Sequence, residues 1–364
     1  AGQVLLVGSI LAATTSTAMA GGKIKIDDDR WVSVGAGLRT SISTASDSAP
    51  DGSRSTDFNL ENMRLYFAGQ VAKGFKLYFN TDKMFGEYGV LDAVAGYEPN
   101  EKFNVWVGRM LVPADRIEMN GPFYGLSWNQ YTVPLFPSDN DPTNGANGAA
   151  GTFGRDEGVT AWGSLGKFQY AVGLFEGYTG NANQSDDPLF ATRLAYNFLD
   201  KEQNPAYFTS STYFGKAGDI LTVGFAAQYQ GDGYGTATQS GSFTGWVIDG
   251  LFEKPLAGGS AITIEGEYKD FEVDTQATTP EFPMFDGKAY FGTVAYLIGG
   301  TTGTGKYQPY LRLTTNDPSV GDSSSLTEIG VNYIIDSHNL RMNLNYTTGD
   351  ANLTGAKAPQ DIDT

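Results

Sequence analysis

The chain of 364 residues carries 47 glycines, 13% aromatic residues and only 18% charged residues, and it has no cysteine. The absence of cysteine excludes a disulfide framework, a thiolate zinc site and covalent haem attachment through C-x-x-C-H. Separately, no motif points to a cofactor or a dedicated metal site, and none is expected. A formal net charge of −17 argues against nucleic acid as a partner, because phosphate recognition needs a basic surface.

The opening "AGQVLLVGSILAATTSTAMA" is a short apolar run that ends in an A-x-A cleavage pattern, so residues 1–20 read as a partial export signal. The mature chain is then expected from Gly21 onward as one body. After this segment no run of eighteen apolar residues occurs, and no membrane helix is expected.

From Trp31 onward the sequence alternates with a period of two, the mark of β-strands with one oily and one wet face. Fifteen candidate strands follow: 31–42, 58–72, 75–84, 89–98, 103–111, 155–165, 168–178, 188–199, 219–231, 243–255, 260–273, 287–298, 306–316, 324–336 and 339–349. Tight connections ("AKG", "EPNEK", "SLGK", "LAGG", "DSH") alternate with longer ones at 43–57, 112–154, 179–187, 232–242, 274–286 and 317–323. The connections 85–88 and 200–218 break that alternation in opposite directions. Short turns on one side and long loops on the other are the pattern of a transmembrane antiparallel β-barrel. Such barrels take even strand numbers, so sixteen strands are expected, with the last one missing beyond the polar stretch "DANLTGAKAPQDIDT". A ring of that size encloses an aqueous channel.

Parity assigns the two faces. Leu65, Phe67 and Val71, then Phe75, Leu77 and Phe79, then Leu221, Val223 and Phe225, then Leu340, Met342, Leu344 and Tyr346 form the apolar side. The opposite side carries seven bases (Arg39, Arg64, Lys76, Arg193, Lys269, Arg312, Arg341) and six acids (Asp92, Asp249, Glu253, Glu265, Glu267, Glu328). A dry core could not hold so many charges, since each costs several kcal/mol to desolvate. The wet face is therefore the inside, and these residues are the candidate pore lining. Aromatic residues near strand ends, such as Tyr97, Phe103, Phe198 and Tyr290, read as interface girdles.

The irregular stretch from Val112 to Phe153 is long enough to be functional, and its aromatics (Phe123, Tyr124, Trp128, Tyr131, Phe136) are ill suited to free solution. Folded back into the barrel it would narrow the pore, with Asp115, Arg116 and Glu118 as filter charges; a lid or a subunit contact is the alternative. Around it, "DAVAGYEPNEKFNVWVGRMLVPADRIE", "GRDEGVTAWGSLGKFQYAVGLFEGY" and the closing "SHNLRMNLNYTTGDAN" resemble the phosphate-selective porin family, porins O and P. The resemblance implies a homotrimeric sixteen-stranded porin of the Gram-negative outer membrane, in contact with lipid and lipopolysaccharide. In that family a third loop folds inward, and phosphate-selective members carry an arginine ladder and a lysine cluster. This third loop offers a single base, Arg116, which departs from that pattern.

Other motifs carry less. "GTTGTGKY" nearly spells a phosphate-binding loop, but Tyr307 stands where a hydroxyl must hold magnesium, and the segment joins two strands. "DNDPTNGANGAAG" from Asp139 begins like a calcium loop but has Asn144 and Ala150 at the defining positions. His338, the single histidine, lies in a turn, and Glu265 and Glu267 are two apart on one strand face, so neither points to catalysis. The expected function is passive diffusion of small ions and hydrophilic solutes, with an anion or phosphate channel as the narrower version. A non-channel barrel (structural, adhesin, or a sheath for a periplasmic partner) is the competing class.

Overall fold

The computed structural model describes residues 5–10, 21–84, 87–136, 154–180, 182–204, 206–273, 284–350 and 362–363. The calcium-like stretch from Asp139 lies outside the described residues. The strands are Leu5–Ile10 (β1), Gly21–Lys25 (β2), Trp31–Ala45 (β3), Ser55–Ala72 (β4), Phe75–Met84 (β5), Glu87–Tyr97 (β6), Asn104–Leu111 (β7), Arg155–Leu165 (β8) and Phe168–Phe175 (β9). They continue with Leu189–Asn197 (β10), Ile220–Thr236 (β11), Gln239–Pro255 (β12), Ala261–Val273 (β13), Gly287–Leu297 (β14), Lys306–Pro318 (β15), Ser324–Asp336 (β16), Leu340–Gly349 (β17) and Ile362–Asp363 (β18). One nine-residue helix, Arg116–Tyr124 (α1), lies between β7 and β8.

Each strand from β3 to β17 pairs antiparallel with the next, giving the meander that the alternation predicts. Fifteen such strands leave one open edge on β3 and one on β17, and bare backbone groups cannot face lipid. β1 pairs with both edges, Leu5 with Asn345 and Leu6 with Ile42, and so supplies a sixteenth antiparallel strand at the seam. This strand comes from the segment read as an export signal, where the expectation was a strand beyond residue 364. β18 starts along the same edge of β17, opposite Gly349 and Thr348. β2 extends the seam along the start of β3, from Gly21 opposite Gly35 to Lys25 opposite Trp31.

One predicted loop is strand instead. Residues 232–242 were expected to be irregular, but β11 runs on to Thr236 and β12 starts at Gln239. The register shifts between Gln230 and Tyr234, a bulge that lets the hairpin continue after the alternation in the sequence has faded.

The faces follow the parity. On β13, Thr263, Glu265, Glu267 and Lys269 are buried inward, whereas Ile264 on the opposite parity is 48% exposed. Leu65, Phe67, Leu77, Phe79, Val223, Met342 and Leu344 are exposed on the outside, as a lipid-facing surface requires. Aromatic side chains gather near its rims: Phe75 with Tyr97, Tyr196 with Phe198 and Tyr307 with Tyr333 at the turn end, and Trp246, Tyr268 and Tyr290 toward the other. No described helix is long and apolar enough to cross a membrane, which says nothing of strands.

Candidate channel lumen and its constriction

Loop three enters the barrel. Directly after β7 the chain turns inward, and Asp115 caps α1 by accepting the Glu118 backbone N–H at 3.1 Å. The Asp115 carboxylate also receives the Lys269 ammonium of the wall at 2.5 Å. Lys269 lies 3.5 Å from Glu118 and 3.2 Å from Glu267, so one wall cation gathers three acids at the root of the loop. Inside α1, Gly121 adopts φ +64°, a conformation costly for a side-chain-bearing residue, and Pro122 follows it.

The next part of loop three lies along the opposite wall, where lumen-facing side chains bond its backbone. Arg39 donates to the Trp128 carbonyl at 3.2 Å and sits 4.0 Å over the Trp128 ring. Arg312 donates to Ser127 Oγ and to the Gln130 carbonyl at 2.8 Å, and Arg341 donates to the Gly125 carbonyl. Glu328 accepts the Trp128 and Asn129 N–H groups at 3.1 and 3.2 Å.

A second segment meets it from the other mouth. The connection between β10 and β11, residues 198–219, rises from the turn end into the lumen. Arg116 spans the two: its guanidinium bonds Glu202 at 2.6 and 3.0 Å and the Ser210 carbonyl at 2.8 Å. Thr209 Oγ1 donates to the Arg116 carbonyl at 2.6 Å, and Asn120 donates to Ser211 Oγ at 2.7 Å. Burial works against charge at Arg116 and Glu202 alike, but their mutual attraction outweighs it. Arg116 is held above the ordinary arginine value and Glu202 below the ordinary carboxylate value. The Arg193–Asp249 pair at 2.5 Å lies beside them, and Asp249 also accepts the Arg116 N–H at 3.1 Å. Glu253 accepts from Thr212, Thr263 and the Gly215 N–H, while Ser211 donates to Glu265 at 2.6 Å.

Together the two segments fill the lumen beside β9–β17. Met119, Phe136, Tyr207, Phe243 and Phe271 pack into an apolar cluster that reaches across to Trp106 on β7 and Trp162 on β8. Beside β3–β8 a cavity of about 530 Å³ remains. Its wall carries Lys23, Trp31, Lys76, Tyr78 and Glu98 toward the turn end, and Arg64, Tyr66, Asp92 and Arg155 deeper in. Glu118, Gly121, Phe123 and Tyr124 of loop three and Asn204, Phe208 and Thr209 of the second segment close the other side. Wall charges come in pairs: Arg64 with Asp82 at 2.6 Å, Lys76 with Glu98 at 2.6 Å, and Arg155 with Asp92 at 3.2 Å.

The candidate residues thus separate by position. Arg64, Lys76, Asp92, Glu118, Phe123 and Tyr124 line the cavity. Asp115, Arg116, Trp128, Arg39, Arg193, Asp249, Glu265, Glu267, Lys269, Arg312, Glu328 and Arg341 lie elsewhere in the lumen, in contacts within the wall or with the two inward segments. Trp31, Tyr78, Glu98, Trp106, Arg155 and Phe208 were not singled out from sequence, although all line the cavity. Phe208 had a visible signal: Tyr207, Phe208, Tyr213 and Phe214 crowd a connection too long for a simple turn.

His338 sits in the turn between β16 and β17, with Nε2 2.8 Å from the Thr212 carbonyl and 3.1 Å from Ser210 Oγ. Ser210 is 1% exposed and also donates to the Thr212 carbonyl, so this contact is a structural clasp without room for a substrate.

No family model matches the sequence, and no curated protein matches it. Solved structures do. An anion-selective porin from Comamonas acidovorans superposes with a TM-score of 0.55 at 14% identity, over 91% of this chain and 94% of that one. An in-vitro folded trimer form of OmpT, an outer membrane protein of Vibrio cholerae, gives 0.54 at 12% identity over 93% and 96%. At such identities the likeness concerns the fold. With its apolar exterior and charged interior, the chain has the antiparallel β-barrel fold of these outer-membrane proteins.

Proposed function

We propose that the protein is a porin, a passive channel for small ions and hydrophilic solutes whose path follows the β3–β8 wall. The observation that carries this reading is the cavity, lined by aromatic side chains and ion pairs, left between that wall and two segments entering from opposite mouths. Loop three alone would form a one-sided constriction; the 198–219 segment makes it composite and pushes the path off the barrel axis. A homotrimer is the assembly proposed, on the family resemblance and the trimer form among the similar structures. Lipid and lipopolysaccharide are the proposed surroundings.

The resemblance also carries an anion or phosphate preference, and Arg64, Lys76 and Arg155 on the passage wall support it. Against it, each of the three bonds a carboxylate, which leaves little unpaired positive charge to draw an anion in. A channel of weak ion selectivity fits the pairing better. The packed half of the lumen favours a second reading, a non-channel barrel. Planar-bilayer recording with the folded protein under a salt gradient separates the two. Stepwise openings with a small zero-current potential are expected; a large anion-selective potential with block by phosphate would restore the narrower version. Correctly folded protein that never opens would leave the non-channel barrel.

A further inference from the structure

The cavity is more than a gap beside a constriction, because its lining combines aromatic rings with matched hydrogen-bonding pairs. Trp106 is fixed from two directions. Its indole N–H donates to Glu98 at 2.8 Å, and its ring lies against Gly96, where an added Cβ would come within 2.9 Å of it. Glu98 also receives Tyr78 Oη at 2.7 Å and Lys76 at 2.6 Å, so three side chains share one anchor. Phe208 approaches from the second segment, its ring centre 5.9 Å from that of Trp106, and Tyr66, Tyr78 and Phe208 remain only partly buried.

These features select a chemistry. An inorganic ion gains little from charges already neutralised by neighbours. A purely aromatic solute would displace water from the Arg–Asp and Lys–Glu pairs without replacing the hydrogen bonds that their remaining donors and acceptors make to it, which is costly. A hydroxyl both donates and accepts, so it can bond either member of such a pair. A compact ring bearing hydroxyls on its rim and C–H groups on its face meets both kinds of surface. The volume of about 530 Å³ falls within the range of small-molecule sites.

We infer that this cavity is a binding site for a neutral, polyhydroxylated ring solute, a sugar of one or two pyranose rings. The inference deepens the channel reading and rests on it. Phe208 and Tyr66 would supply stacking faces from opposite sides, and the Lys76–Glu98 and Arg155–Asp92 pairs would bond the hydroxyls.

The test begins with the folded barrel in detergent, titrated with maltose while tryptophan fluorescence is followed, since Trp31, Trp106 and Trp162 line the site. Saturable quenching is expected, with a Kd on the order of 1–100 mM as suits a weak site. Linear sorbitol and inorganic phosphate should give none. Phe208→Ala and Tyr66→Ala should each weaken maltose binding roughly tenfold. In bilayers, maltose should then reduce the ion current of open channels, and less so in Phe208→Ala. Quenching without any channel openings would keep the sugar site and remove the transport reading. Channels that open while maltose neither quenches nor reduces current would overturn the sugar site and leave the porin intact. Phosphate binding in place of maltose would overturn it as well.

Discussion

Arg116 is 1% exposed, and its guanidinium meets the Glu202 carboxylate through two bonds deep in the lumen. Replacing it with alanine leaves Glu202 buried beside Tyr213 without its cation. Breaking a buried pair from one side costs about 3–5 kcal/mol, while replacing both partners with apolar side chains is far milder. Arg116→Ala is therefore expected to lower barrel stability by about that amount, and Arg116→Met with Glu202→Met to recover most of it, read from urea unfolding in detergent micelles. The single variant should also conduct more, because the 198–219 segment loses a tether. Equal losses in the single and double variants would contradict the pairing argument. In the sequence Arg116 stood out as the single base of loop three, but its partner stands 86 residues away on a connection that reads as an overlong turn. No local pattern encodes such a pairing.

The two inward segments show which elements a sequence can and cannot announce. Loop three declared itself through length and aromatic content. The 198–219 connection held the same signal in a shorter stretch, yet its placement depends on Ser, Thr and backbone groups that bond distant wall carboxylates. His338 tests this clasp, since its ring stands between Tyr124 and Phe214, with centres 4.9 and 4.8 Å away, and bonds the Thr212 carbonyl. Burial pushes its pKa down to about 3, and Arg341 and Lys216 press in the same direction. An unfolded histidine titrates near 6.5, so between these values the unfolded chain holds the extra proton. The stability contributed by neutral His338 is intact above about pH 6.5 and is lost as pH falls toward 3. Urea midpoints of the native protein should drop between pH 7 and pH 4 more steeply than those of His338→Asn. Parallel slopes for the two proteins would remove His338 as the titrating group.

For the molecule as a whole, the fifteen strands from β3 to β17 and their direction were readable because a barrel wall separates lipid from water along every strand, and that contrast writes itself into alternate positions. The β11–β12 hairpin was not readable beyond residue 231, where "GDGYGTATQSGS" loses the contrast while backbone pairing persists from Tyr234 to Gly241. Nor did the alternation show that the lumen is largely occupied, because a charge facing water and a charge facing a buried loop look alike in one chain. The wall itself can be tested at adjacent residues of β15. Arg312 points inward and is 1% exposed, whereas Leu313, near mid-strand, points outward and is 53% exposed. A lysine on the lipid face costs about 2–4 kcal/mol at the bilayer midplane and about 0–1 near the interface. Leu313→Lys should destabilise the barrel in phospholipid vesicles by the larger amount, and Tyr307→Lys, at the turn end of the same strand, by the smaller. In urea titrations of the vesicle-embedded protein, a Leu313→Lys midpoint close to that of Tyr307→Lys would mean that this face of the barrel meets something other than lipid, such as a neighbouring copy of the chain.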